Sequence, residues 1–176
     1  MTTDKSNDNS VHLTLQGKGG VGKSFVTSVL AQYLKSKKLP VVCLDTDPVN
    51  KTFTAVKALN VTPIEIIKNT KIDELQFDVL MEKLLQEKST FVVDNGASSF
   101  VPLSSYLFEN DALSALEESG KKVYIHCIVT GGQAIIDTIN GMNALAQASS
   151  SQNIIVWLNE YFGEVKVEGK NFEETK

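Results

Sequence analysis

The 176-residue chain contains no arginine; all 17 of its basic residues are lysines. Chemistry that needs an arginine finger or a bidentate guanidinium clamp within this chain is thereby excluded. Cysteine is scarce. Cys43 and Cys127 do not make a disulfide framework, which fits a reducing, cytoplasmic setting. Both fall in apolar strand patterns and read as core thiols. The two histidines, His12 and His126, lack metal-ligand spacing. No stretch approaches the ~18 apolar residues that span a bilayer. Met1 to Ser10 is polar and lacks the apolar segment of a secretory signal. A net charge of −4 argues against non-specific nucleic-acid coating, and no basic amphipathic helix marks a membrane surface. What remains is ordinary for one globular domain with a full core, at 42% hydrophobic and 22% charged residues.

The chain reads as a tail followed by alternating strands and helices. Residues 1–10 are expected to be a flexible tail, and residues 11–176 a single domain. Strands are predicted over 11–16, 41–44, 91–93, 123–129 and 154–158. Helices are predicted over 24–38, 73–87, 101–118 and 134–148. The first buries Val26, Val29, Leu30, Tyr33 and Leu34, and the second Phe77, Leu80, Met81, Leu84 and Leu85. One or two short helices are expected within 50–70, and 160–176 has no clear period. Trp157 falls in a strand pattern and reads as core. Alternation of this kind gives βαβ units, parallel pairing and ligands beyond the carboxyl ends of the strands.

The first strand end carries the strongest signal. Gly17 to Ser24 reads GKGGVGKS and fits G-x-x-x-x-G-K-[ST], with a strand before it and a helix after it. Glycines there allow successive backbone N–H groups to face phosphate oxygens. Lys23 supplies a point charge to the terminal phosphates, and Ser24 a hydroxyl for Mg²⁺. Gly17, Lys18, Gly19, Gly20, Val21, Gly22, Lys23, Ser24 and Phe25 are the candidate nucleotide-cradling residues. The second strand ends in Asp45-Thr46-Asp47-Pro48, two carboxylates on one side of the chain. Either could orient water or a Mg²⁺-bound water, and Asp45 reads equally as a turn former. Asp94 closes the apolar Phe91-Val92-Val93, a pattern in which the carboxylate serves Mg²⁺. Thr130-Gly131-Gly132 ends the fourth strand, either lining the ligand edge or simply entering a helix. No guanine-reading NKxD segment is present.

Lys18, directly after the first glycine, marks a resemblance to the deviant Walker A family that includes ParA, MinD and the nitrogenase iron protein. The resemblance implies a three-layer α/β P-loop domain, a mainly parallel sheet flanked by helices. It implies ATP/ADP as ligands, Mg²⁺, and an ATP-dependent homodimer in which Lys18 reaches the partner's nucleotide. Asp47, the Asp preceding Pro, takes the place of the residue that prepares the attacking water. Asp47 and Asp94 would join Ser24 around the metal. Asn95 to Ser99 fall where the family has its switch loop, although many relatives carry prolines there. Asn159 matches an Asn that hydrogen-bonds adenine. The paired cysteine ligands of a bridging iron–sulfur cluster are missing.

A narrower resemblance rests on LQGKGGVGKS, DTDPVN, KALNV, VVDNGASSFVPLS, VTGGQA and VWLN. These stretches are similar to ParA/MinD-type ATPases encoded with bacterial conjugation genes. The resemblance implies a cytoplasmic switch ATPase of low turnover that positions or assembles the transfer machinery. Its partner is an unidentified component of that machinery, which could also recruit it to the membrane. The alternatives are a nucleotide-binding scaffold with negligible turnover and a P-loop metabolic synthetase. Relatives of this group usually continue with a further strand and helix, so the chain is expected to be a natural short form or to lack those last elements.

Overall fold

The computed structural model describes residues 9–69, 71–73, 75–149 and 153–174. In chain order the elements are β1 (Ser10–Thr14), α1 (Lys23–Ser36), β2 (Val41–Asp45), β3 (Thr62–Pro63), β4 (Ile67–Lys68), β5 (Lys71–Ile72) and α2 (Leu75–Gln86). There follow β6 (Thr90–Asp94), α3 (Phe100–Glu109), α4 (Ala112–Glu118), β7 (Lys122–Thr130), α5 (Ile135–Ala148), β8 (Ile154–Asn159), β9 (Lys166–Val167) and β10 (Lys170–Asn171). Six strands form one sheet in the order β3-β2-β6-β1-β7-β8, and every pairing in it is parallel. Two small antiparallel hairpins, β4–β5 and β9–β10, stand apart from it. Helices cover both faces, so the domain is three-layered α/β. No helix among the described residues is long and apolar enough to cross a membrane.

The strands are short and apolar because both faces are buried. On one face Val11, Leu13 and Leu15 of the first strand segment pack with Phe91, Val93, Val123 and Ile125. Phe77, Leu80 and Leu84 of α2, Leu103 and Leu107 of α3, and Leu113 and Leu116 of α4 close that layer. On the other face Leu30, Ala31 and Leu34 of α1 pack on Cys43 and Val92. The two cysteines are buried core thiols, as expected. Burial pushes the Cys127 thiol up to about 12.

Several expectations need correction. Residues 1–8 of the expected tail lie outside the described residues, while Ser10 is already buried in β1, paired with Lys122. Val29 and Tyr33 are solvent-exposed on α1, and Leu85 on α2, so the buried stripes are narrower than the spacing implies. The expected helix over 101–118 is two helices. Asp111 adopts a left-handed φ of 50° that ends one and starts the other. Within 50–70 there is one short 3₁₀ turn, Lys57–Leu59, and the two-residue strand β3 adds an edge to the sheet. Trp157 is half-buried, on the opposite edge strand β8, where Ile155, Val156 and Leu158 remain partly exposed.

Thr130-Gly131-Gly132 does enter a helix, through the 3₁₀ turn Gly132–Ala134 that leads into α5, and it is also closely covered. A Cβ on Gly131 would fall on the Gly163 carbonyl, and Gly132 has a φ of +72°. The segment after β8 folds back over the end of β7, and only glycine leaves room for it.

Candidate functional site

The chain crosses from β1 to α1 at the carboxyl end of the sheet through Gly17–Gly22. Gly20 and Gly22 adopt φ of +74° and +100°, which side chains disfavour. Gly17 is held under the Phe100 ring, 2.8 Å from where a Cβ would stand. The Lys23 side chain is buried and folds back over the loop, its Nζ donating to the Lys18 carbonyl at 2.8 Å. Burial lowers its pKa, while the charges of Asp94 and Asp47 act in the opposite direction. Gly19, Gly20, Gly22, Lys23, Ser24 and Phe25 line one cleft together with Asp47 and Ala97. Phe25 is 73% exposed at its rim, the reverse of a core phenylalanine.

Asp94 lies below this cleft, buried at the end of β6 and in register with Asp45 on β2. Its carboxyl is pushed up to about 6, chiefly by burial, against hydrogen bonds from the Ser24 and Thr27 hydroxyls. Asp45 raises it further and Lys23 opposes. Thr27 Oγ1 stands 3.0 Å from Asp94 Oδ1 and 2.9 Å from Thr14 Oγ1. Asp45 itself is a buried turn organiser. Its Oδ2 accepts from the Thr54 N–H and hydroxyl, and its Oδ1 accepts from the Asp47 N–H. Asp47 is half-buried, and its Oδ1 accepts from the N–H groups of Val49 and Asn50. The two carboxylates thus divide their work: Asp45 shapes the loop that carries Asp47 to the cleft.

Lys18 and Asn159 take less expected places. The Lys18 ammonium pairs with Asp137 in the first turn of α5 at 2.7 Å, with both side chains about half exposed. Asn159 clasps the loop, its Nδ2 donating to the Val21 carbonyl at 2.9 Å and its Oδ1 accepting from the Tyr161 N–H at 3.1 Å. Lys18 and Val21 line a second recess with Gly131, Gly132 and Phe162. The fold therefore gathers Lys23, Ser24, Asp47 and Asp94 at one cleft, sets Lys18 on its outer side, and uses Asn159 to brace it.

Sequence reasoning missed four supports. Thr27 lies one turn after Lys23 on the same face of α1, a helical spacing that could have found it. Gln16 is fully buried and donates to the Ile128 and Thr138 carbonyls at 2.8 and 3.0 Å, tying the loop's root to β7 and α5. Asp137 and Phe162 arrive from distant parts of the chain and carry no local signal.

A second buried polar cluster lies one step down β1. Trp157 Nε1 donates to His126 Nδ1 at 2.9 Å, so His126 carries its proton on Nε2 and donates to His12 Nδ1 at 2.9 Å. His12 then donates from Nε2 to Ser10 Oγ at 3.1 Å. Tyr124 stacks on His12 with ring centres 4.9 Å apart. Burial, and then the neighbouring His12, lower the His126 pKa to about 4. Among the described residues no three His, Cys, Asp or Glu side chains are grouped to hold a metal.

A glycine-rich loop on a parallel sheet, with a folded-back lysine and a buried strand-end aspartate, defines a P-loop nucleotide-binding domain. Residues 13–174 match the CobQ/CobB/MinD/ParA nucleotide binding domain, and the chain belongs to that family. It is 47% and 45% identical to two Escherichia coli proteins, each named Protein TraL. Each likeness runs over 167 residues, 94% of this chain and 69% of the relative. A plasmid partition protein from Borrelia burgdorferi is similar more distantly, at 16% identity over 85% of this chain and 76% of its own, with a TM-score of 0.46. That last likeness is too loose to carry fold or function across.

Proposed function

We propose that this chain is a Mg-ATP-binding, slowly hydrolysing ATPase that dimerises on ATP and acts as a switch in bacterial conjugative transfer. The supporting observation is the cleft itself, where Lys23 and Ser24 of one loop stand over the buried Asp94. The Gly17–Gly22 backbone would cradle phosphates, with Lys23 balancing their charge. The oxygen donors Ser24 and Asp94 suit a hard cation such as Mg²⁺, with Asp47 beside them. The cation, when bound, would neutralise charge on the terminal phosphates. Asp47 would orient the attacking water through Oδ2, because its Oδ1 is committed to its own turn. Asn159 keeps one amide hydrogen and one lone pair for an adenine edge after bracing the loop. Lys18 would leave Asp137 to serve the partner's nucleotide.

The role in transfer rests on the relatedness to TraL and on the resemblance of that group to conjugation ATPases. The chain would position or assemble the transfer apparatus, through a component still to be identified. A scaffold reading, binding without turnover, is favoured by one observation: Lys18 and Asp47 Oδ1 are both engaged within the chain. Sedimentation velocity and phosphate release with ADP, ATP and a non-hydrolysable analogue separate the two. ATP-dependent dimers with slow phosphate release support the switch. Dimers without release support the scaffold, and indifference to all three nucleotides overturns both.

A further inference from the structure

Thr27 stands on the second turn of α1, against Thr14 of β1 and Asp94 of β6, which are partners in the sheet register. All three side chains are buried. Thr27 Oγ1 has three acceptors within reach, the Lys23 carbonyl at 2.9 Å, Thr14 Oγ1 at 2.9 Å and Asp94 Oδ1 at 3.0 Å. It has one hydrogen to give. An ionised carboxylate is the strongest acceptor of the three, so Asp94 receives it. Thr14 then donates to Thr27, and the hydrogen bonds run one way, from Thr14 through Thr27 to Asp94.

The two buried strand-end carboxylates are held in different ways. Asp45 has both oxygens tied to its own turn, by the N–H groups of Asp47 and Thr54 and by the Thr54 hydroxyl. Asp94 is held by hydroxyls, those of Ser24 and Thr27. A hydroxyl can rotate and release an oxygen, whereas a backbone N–H in a turn cannot. Ser24 lines the cleft, and Thr27 lies beneath it. Thr27 is also firmly set. Its side chain is β-branched, and its hydroxyl bonds back to the Lys23 carbonyl one turn earlier. With Oδ1 held from below, the plane of the Asp94 carboxylate is fixed, and so is the direction of Oδ2. A plainer reading has Thr27 satisfied by its own helix, since the Lys23 carbonyl alone would take its hydrogen. That reading gives no reason for a hydroxyl, where a valine of the same shape would fill the same buried face of α1.

We infer that Thr27 is a positioning residue for the cation that accompanies the nucleotide. It acts through Asp94, holding one carboxylate oxygen so that the other keeps a fixed aim beside Ser24. Thr14 supports it as the donor behind. Thr27 thereby ties the helix turn that carries Lys23 and Ser24 to the strand that carries Asp94. The inference rests on the nucleotide reading above, and its test separates the two.

Affinity for a non-hydrolysable ATP analogue is measured by titration calorimetry of the full chain, once with Mg²⁺ and once with EDTA. The unaltered chain is expected to bind more tightly with Mg²⁺. Thr27→Val should lose about tenfold or more of that gain while its affinity in EDTA stays within about twofold. Thr27→Ser, which restores the hydroxyl, should recover the gain. An undiminished gain in the valine variant overturns the inference. So does an equal loss with and without Mg²⁺, which makes Thr27 a packing residue, or a serine variant as impaired as the valine one. If the unaltered chain binds nucleotide with no gain from Mg²⁺, this inference fails and nucleotide binding stands. If it binds no nucleotide, the parent reading fails and this one with it. A second readout needs no substitution, in case valine prevents folding. The buried Thr27 hydroxyl proton of the unaltered chain should be resolved by NMR and should shift when Mg²⁺ is added to the nucleotide complex. A missing resonance, or one that Mg²⁺ leaves in place, contradicts the inference.

Discussion

His12 and Thr14 face the same side of one strand two residues apart, and each begins a buried polar cluster of opposite character. From His12 the hydrogen bonds run to Ser10, His126 and Trp157, and all four imidazole nitrogens are engaged without a formal charge. From Thr14 they run through Thr27 to Asp94, a buried carboxyl held at a pKa of about 6 beside Asp45 and Lys23. Its neighbour Asn95 carries an orphaned amide nitrogen. The first cluster is neutral and joins β1, β7 and β8. The second is charged and adjoins the cleft lined by Lys23, Ser24 and Asp47. Burial and polarity alone do not separate a structural cluster from a functional one; the charge gathered beside a cleft does.

That contrast can be broken from either side. The largest effect is expected from Lys23→Ala, which should lower nucleotide affinity at least about 100-fold, or roughly 2.7 kcal/mol. Titration calorimetry reads the loss, and scanning calorimetry should show a melting temperature kept or raised, because a desolvated ammonium is gone. His126→Leu should do the reverse. Breaking the closed chain leaves polar partners buried and is expected to cost about 2–3 kcal/mol in urea unfolding. Nucleotide affinity should stay within about twofold. A parallel fall in affinity would show that the two clusters are not independent.

The pH dependence sharpens the comparison further. Asp94 has a folded pKa raised from 3.8 to about 6, so the folded state holds the extra proton between those values. Its burial therefore destabilises most near pH 7, and that cost fades as pH falls through 6 towards 4. His126 is lowered from 6.5 to about 4, so the stability of its neutral form is present above 6.5 and is lost as pH falls towards 4. Asp94→Asn should accordingly stabilise the nucleotide-free protein by about 2 kcal/mol at pH 7 and by little at pH 4. Equal gains at both pH values would remove the charge from the account. Trp157, the sole tryptophan, sits on His126 and offers a direct fluorescence readout of the histidine step. The smallest effect on stability is expected from Asp137→Ala, below about 1 kcal/mol for so exposed a pair. The freed Lys18 should strengthen ATP-linked association in sedimentation by a few-fold. Weaker association would make Asp137 a support for Lys18 and not a tether.

The alternation of apolar runs and helical stripes was enough to read the parallel α/β domain, because fully buried strands and amphipathic helices leave strong periods. The loop and its lysine were equally legible, since Gly20 and Gly22 need left-handed backbone and Lys23 needs a fixed place after them. Strand order was not legible. That β6 inserts between β1 and β2, bringing Asp94 beside Asp45, is decided by packing between segments distant in the chain, Asp45 with Asp94 and Val11 with Phe91. The break at Asp111 was hidden because apolar spacing continues across it. The pairings Lys18–Asp137, Asn159–Val21 and His12–His126 each span more than 100 residues, so no local pattern announces them. The unpaired amide nitrogen of Asn95 was invisible for another reason. An unpaired atom shows only once every neighbour is in place.

Titration calorimetry of the full 176-residue chain with ATP and Mg²⁺, set against Lys23→Ala, tests the central claim most directly. The account predicts saturable binding at one site per chain in the unaltered protein and its loss in the variant. No binding by the folded, unaltered chain, or equal binding by both, would contradict it.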